Sequence, residues 1–122
     1  MTRDRVVVID DDPDFRELVA ICLADLGFTC VDAATCAEAL PLLERERGRV
    51  RLVLLDYFMP GLAPCACARA VLDRVAPGVP VVLVSAAVDI AARAAEVGLD
   101  RFLAKPFDIG ELGQIVSRAD DA

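Results

Sequence analysis

The chain has 122 residues, 57 % of them apolar and 27 % charged, with a formal net charge of −7. That length suits one domain with a full core, and the composition excludes a disordered chain. The acidic excess argues against direct nucleic-acid binding, because phosphate backbones demand Lys and Arg.

Val6-Val7-Val8-Ile9 is a continuous β-branched run, the pattern of a strand buried on both faces. Asp12-Pro13 then reads as a helix start, with Asp at the N-cap and Pro in the first turn. Phe15, Leu18, Val19, Cys22, Leu23 and Leu26 follow at helical spacing, and Gly27 ends the helix. Phe28 to Val31 is a second strand. Thr35 and Glu38 form a capping-box pattern ahead of a helix to about Arg45. Leu52 to Leu55 is the third strand, and a loop with Pro60, Gly61 and Pro64 leads into a helix to about Val75. Val81 to Val84 is the fourth strand, followed by an Ala-rich helix over Ile90 to Val97 that Gly98 ends. Arg101 to Ala104 is the fifth strand. Asp108 and Glu111 repeat the cap pattern before a last helix with Ile109, Leu112, Ile115 and Val116 on one face, and the polar residues Arg118 to Ala122 read as a frayed end. Strict alternation of strand and helix predicts an α/β domain over 1–122, a parallel sheet covered on both faces with right-handed crossovers.

The longest uncharged stretch, Val75 to Val88, is shorter than the roughly 20 residues of a spanning helix and contains Pro77, Gly78 and Pro80, so no membrane span is expected. The start Met1-Thr2-Arg3-Asp4-Arg5 passes straight into an apolar run without a signal-peptide pattern, which makes a cytoplasmic location the default. Five Cys without a repeated spacing make a poor disulfide framework. They read as small hydrophobes in a reducing compartment. Cys65 and Cys67, two apart, do not match the common zinc spacings, and no His can complete such a site; the absence of His also excludes Ser-His and Cys-His catalytic pairs.

In open α/β sheets, ligands bind at the carboxyl ends of the strands. Here the first strand ends in Asp10, Asp11 and Asp12, the third in Asp56, the fourth in Ser85 and the fifth in Lys105-Pro106. The second ends less distinctively, near Asp32. Each residue has a plain alternative: the Asp triplet as a helix cap and solvated turn, Asp56 as a turn residue, Ser85 as structural, Lys105 as a solvated lysine. Those alternatives do not predict that all of them reach one sheet edge. Clustered carboxylates repel one another, and few ligands at an open edge favour Mg²⁺, which keeps waters and shares a phosphate. A carboxylate beside Mg²⁺ and Lys is a fitting nucleophile towards a phosphoryl group. It needs no general base, since aspartate is ordinarily ionised at neutral pH.

The segments VVVIDDDPDFREL, LVLLDYFMPG, VVLVSAA and FLAKPF, in this order and at these separations, resemble the receiver domains of bacterial two-component response regulators over nearly the whole chain. The resemblance implies a flavodoxin-like fold, a (βα)5 three-layer sandwich with strand order 2-1-3-4-5. It implies Asp56 as phosphoacceptor and metal ligand, and Asp10 and Asp11 as the acidic pair, with Asp11 favoured as the direct Mg²⁺ ligand. Phe58 would give its backbone carbonyl to the metal. Ser85 and Phe102 match the switch pair, Lys105 matches the phosphoryl-binding lysine, and Lys105-Pro106 matches a bond that is cis in that family. The partners implied are a histidine kinase or histidine phosphotransfer protein and a downstream target or output domain. The chain would not be an enzyme beyond its own Mg²⁺-dependent phosphorylation and dephosphorylation.

Four positions depart from the family pattern. Ala63-Pro64 stands where an Asp-Gly pair is usual, and Pro cannot take the positive φ that Gly allows. Phe58 is large and apolar where many relatives are polar, and Ala87 is small. These last two flank the phosphoryl group in the family, which suggests that Phe58 shields it and that Ala87 positions no water. A receiver-like interaction module independent of phosphate is the competing function. A haloacid-dehalogenase-type phosphatase is disfavoured because Phe58 stands where its second Asp is needed. A flavodoxin is disfavoured because Asp10 to Asp12 stand where its phosphate loop would be.

Overall fold

The computed structural model describes residues 3–59, 61, 63–86 and 88–119. In chain order the elements are β1 Arg5–Ile9, α1 Pro13–Asp25, β2 Thr29–Ala33, α2 Cys36–Arg45, β3 Val50–Asp56, α3 Pro64–Arg74, β4 Val81–Ser85, α4 Ile90–Glu96, β5 Arg101–Ala104 and α5 Ile109–Arg118. The five strands form one parallel sheet, as their alternation with helices predicts, in the order 2-1-3-4-5 that the resemblance implies.

Alternation along each strand divides the core in two. Val6, Val8, Leu52, Leu54, Val82, Val84 and Leu103 face α1 and α5, where Val19, Leu23, Leu112 and Val116 close over them. Val7, Ile9, Val53, Leu55, Val81 and Leu83 face α2, α3 and α4, against Ala39, Leu43, Ala68, Val71 and Ala94. The central strands are apolar on both faces because each face is covered by helices.

The caps follow the sequence closely. Asp14 N–H donates to the Asp12 side chain at 3.0 Å, Glu38 N–H to Thr35 Oγ1 at 3.1 Å, and Glu111 N–H to Asp108 at 2.8 Å. The Glu38 carboxylate reaches back to Ala34 N–H at 2.9 Å, which completes the α2 cap one residue earlier than the usual box. In the β3–α3 loop, Pro64 takes the first helical position, where its missing N–H costs nothing, while Gly61 supplies the positive φ of +100°.

Three expectations change. β2 runs over Thr29–Ala33 rather than from Phe28, because its register is set by Thr29 N–H on Asp4 O at one end and Asp10 N–H on Ala33 O at the other. The apolar stripe of α1 is wider than the face it buries: Leu18, Ile21 and Leu26 are exposed. The cysteines do not all stay single. Cys36 at the start of α2 and Cys67 in α3 are both buried and are joined by a disulfide. Their separation of 31 residues carries no spacing signal; they meet because α2 and α3 lie side by side on one face of the sheet.

Closing a loop of that length stabilises a fold by about 3–4 kcal/mol in the chain-entropy account. Alkylation of the unreduced, unfolded protein should therefore modify Cys22, Cys30 and Cys65 only. Reduction should raise the count to all five cysteines and lower the melting temperature. Five modified thiols before reduction would contradict the bond.

Candidate phosphoacceptor site

Strand parity delivers the charged groups. Asp10 continues the row of Val6 and Val8, Asp56 that of Leu52 and Leu54, and Lys105 that of Leu103, so all three emerge from the α1/α5 side of the sheet at its carboxyl edge. Ser85 continues the row of Val81 and Leu83 on the other side, where it is buried as the last residue of β4. Lys105 is fixed at the same edge by its N–H, which donates to Ser85 O at 2.8 Å, and the Lys105-Pro106 bond is cis.

Lys105 Nζ donates to Asp10 Oδ2 at 2.8 Å and lies 3.7 Å from Asp56 Oδ1. Asp10 is 1 % exposed, and its second oxygen accepts Asp12 N–H at 2.9 Å. A carboxylate oxygen from each of Asp10, Asp11 and Asp56 falls within 4.8 Å of the others. Asp11 is exposed, so the cluster opens to solvent on that side. Phe58 follows Asp56 by two residues; its N–H donates to the Asp56 carboxylate and its ring is 57 % exposed. Phe102 projects from edge strand β5 with its ring partly in solvent. Ala87 lies outside the described residues.

Several supporting residues were not legible in the sequence. The Phe15 ring lies 4.1 Å from Lys105 Nζ and gives the ammonium a cation–π contact beside its carboxylate partners. Arg16 donates to the Asp10 carbonyl at 2.8 Å and to Asp32 at 2.9 Å, tying α1 to the ends of β1 and β2. Its only signal was a basic residue one turn after the Asp triplet, which is common on solvated helices. Asp32 is thereby a structural partner of Arg16.

The cluster carries an electrostatic cost. Asp56 is pushed up from 3.8 to about 6, first by burial, then by the Asp10 carboxylate; Lys105 opposes the rise, Asp11 adds to it, and the Phe58 N–H opposes it. Aspartate at neutral pH is ionised, as its ordinary chemistry predicts, but by a narrow margin. Three oxygen donors that repel one another, one of them open to solvent, suit a hard divalent cation that keeps part of its water, so Asp10, Asp11 and Asp56 fit Mg²⁺.

A carboxyl whose folded-state pKa is raised binds protons more tightly in the folded chain. It therefore lowers stability at pH values above about 6, and that penalty fades as pH falls from about 6 towards 3.8. Asp56→Asn should stabilise the protein in metal-free buffer at pH 7.5 by roughly 1 kcal/mol, allowing for solvent screening. Denaturant melts of both proteins at pH 7.5 and pH 4.5 should show the difference shrinking at the lower pH. A difference that grows would reverse the assignment.

Comparison with known proteins agrees with this edge-of-sheet arrangement. The family model of the response regulator receiver domain matches residues 6–117. The response regulator protein PilR of Pseudomonas aeruginosa is 33 % identical over 98 % of this chain, which spans 26 % of PilR. NtrX from Brucella abortus superposes with a TM-score of 0.83 at 32 % identity, covering 98 % of this chain and 27 % of that one. The receiver domain of sensor histidine kinase PA1611 from Pseudomonas aeruginosa has the same fold, with a TM-score of 0.84 at 24 % identity and 98 % of both chains covered; that structure holds a magnesium ion coordinated in its active-site cleft. The chain spans between about a quarter and a half of the curated relatives it matches. By its fold, its acidic edge and these matches, the chain belongs to the response regulator receiver domain family.

Proposed function

We propose that residues 1–122 act as one phosphoacceptor unit in which Asp56 takes a phosphoryl group from a histidine kinase or histidine phosphotransfer protein. The observation that carries this reading is the placement of Asp56 beside Asp10 and Asp11 with Lys105 Nζ at 3.7 Å. An Asp56 carboxylate oxygen forms the new P–O bond as the P–N bond to the donor imidazole breaks, and the imidazole leaves with the bonding pair. Asp10, Asp11, Asp56 and the Phe58 carbonyl would hold Mg²⁺, which supplies charge neutralisation on the phosphoryl oxygens. The magnesium in the PA1611 receiver supports that choice of ion. Lys105 supplies the second positive charge and is kept from swinging away by its bond to Asp10. Removing Lys105 would leave Asp10 buried without its ion-pair partner as well as losing that charge.

In this reading Ser85 hydrogen-bonds the bound phosphoryl and Phe102 turns with it, changing the face of α4, β5 and α5 that a target or output domain reads. The protein catalyses only the gain and loss of its own phosphoryl group. A cytoplasmic site of action follows from the proposed donors, and the Cys36–Cys67 disulfide is the observation that pulls the other way. Phe58, two residues after Asp56 and with an exposed ring, shields the phosphoryl from water.

Incubation with acetyl phosphate and Mg²⁺ should add the mass of one phosphoryl group to the wild type and none to Asp56→Asn. A folded wild type that gains no mass under these conditions would overturn the reading. Phe58→Asn should lose its phosphoryl faster than the wild type, by roughly threefold or more, for a lowering of the barrier of under 1 kcal/mol per threefold. An equal or slower rate in a phosphate-release assay would remove the shielding role.

A further inference from the structure

We infer that Arg93 is a positioning residue for the lifetime of the phosphoryl group, acting through Phe58. The inference rests on the phosphoacceptor reading above. Asp89, Arg93 and Glu96 fall at i, i+4 and i+7 along one face of the α4 segment, and that face meets the two residues that directly follow Asp56. Arg93 Nη1 donates to Tyr57 Oη at 3.1 Å, and the Tyr57 hydroxyl donates to Glu96 Oε1 at 3.2 Å. Arg93 Nε lies 3.3 Å from both oxygens of Asp89, in the loop that follows Ser85. The guanidinium carbon stands 5.1 Å from the Tyr57 ring centre and 5.9 Å from that of Phe58. The two rings meet edge to face at 4.8 Å.

One cation is thus shared between the residues that follow the acceptor and the loop that follows Ser85. Tyr57 is a firm base for it: its ring is buried and its N–H donates to Val84 O at 3.2 Å. Phe58 is far more exposed, and its ring meets the Tyr57 ring edge to face and stands within reach of the guanidinium. Without Arg93 the Phe58 ring loses the guanidinium contact and is held less firmly, and water reaches phosphorus more often. In the hydrolysis, a water oxygen bonds to phosphorus, the bond to the Asp56 oxygen breaks, and carboxylate and inorganic phosphate are released. Arg93 touches none of the reacting atoms.

The test compares phosphoryl loss from wild type, Arg93→Met, Phe58→Ala and the double variant, each loaded with acetyl phosphate and Mg²⁺ and then stripped of donor. Arg93→Met should accelerate loss by about two- to fivefold, the range of a weak cation–π contact. In the Phe58→Ala background the same substitution should change nothing, which a general loosening of α4 would not produce. An unchanged rate in Arg93→Met, or equal acceleration in both backgrounds, would overturn the inference. Should Arg93→Met fail to fold, Tyr57→Phe decides: it removes one bond from the guanidinium and keeps the ring, and it should give a smaller acceleration, with an unchanged rate counting against the role. A wild type that takes up no phosphoryl overturns the parent reading as well, whereas uptake with unaltered lifetimes overturns this inference alone.

Discussion

Three carboxylates confined to one sheet edge set the terms for everything around them. At these separations their mutual repulsion is on the order of several kcal/mol in a partly desolvated crevice. Lys105 answers part of it by bonding the most buried of the three, Asp10, and by standing near Asp56. The neighbours then hold those partners in place: Phe15 under the ammonium, Arg16 on the Asp10 carbonyl, and the Asp12 N–H on the second Asp10 oxygen. Burial first, and then the repulsion that stays uncompensated, raise the pKa of Asp56. A site that retains such a deficit favours any ligand bringing positive charge, which is why the acidic cluster suits a hard divalent cation.

The fold was largely legible because its signals are local and periodic. Val6 to Ile9 and Val81 to Val84 announce buried strands by composition alone, and Asp12, Thr35 and Asp108 mark helix starts through bonds to residues two or three positions away. The acidic edge was legible through one further rule, that strand ends gather ligands. What the sequence did not disclose depends on which elements become neighbours across the sheet. Cys36 and Cys67 meet through helix packing, Arg16 finds Asp32 through the β1–β2 pairing, and Arg93 finds Tyr57 through the approach of α4 to the β3–α3 loop. None of these pairs has a spacing that a linear reading could weigh. The α1 stripe failed in the opposite sense: helical periodicity identified apolar positions such as Leu18 that the core has no room to cover.

The two sides of the site differ in how firmly they are built. On the α1/α5 side the partners are buried or charge-assisted, and the bonds are short. On the α4 side the contacts are longer, more exposed and shared around a single guanidinium. Rigid anchorage for the carboxylates and looser anchorage for the flanking aromatic is what a device needs if it must keep its chemistry fixed while its surface changes state.

The Lys105–Asp10 bond joins residues 95 positions apart, at the ends of the first and the fifth strand. Such a contact closes a long loop, at an entropic cost that local contacts do not carry. A nascent chain released up to β4 would carry all three carboxylates without the ammonium that reconciles them. The charge balance of the site therefore depends on the fifth strand: the acidic edge gains its ammonium only when that strand has docked, so a truncated or partly unfolded copy lacks the finished site.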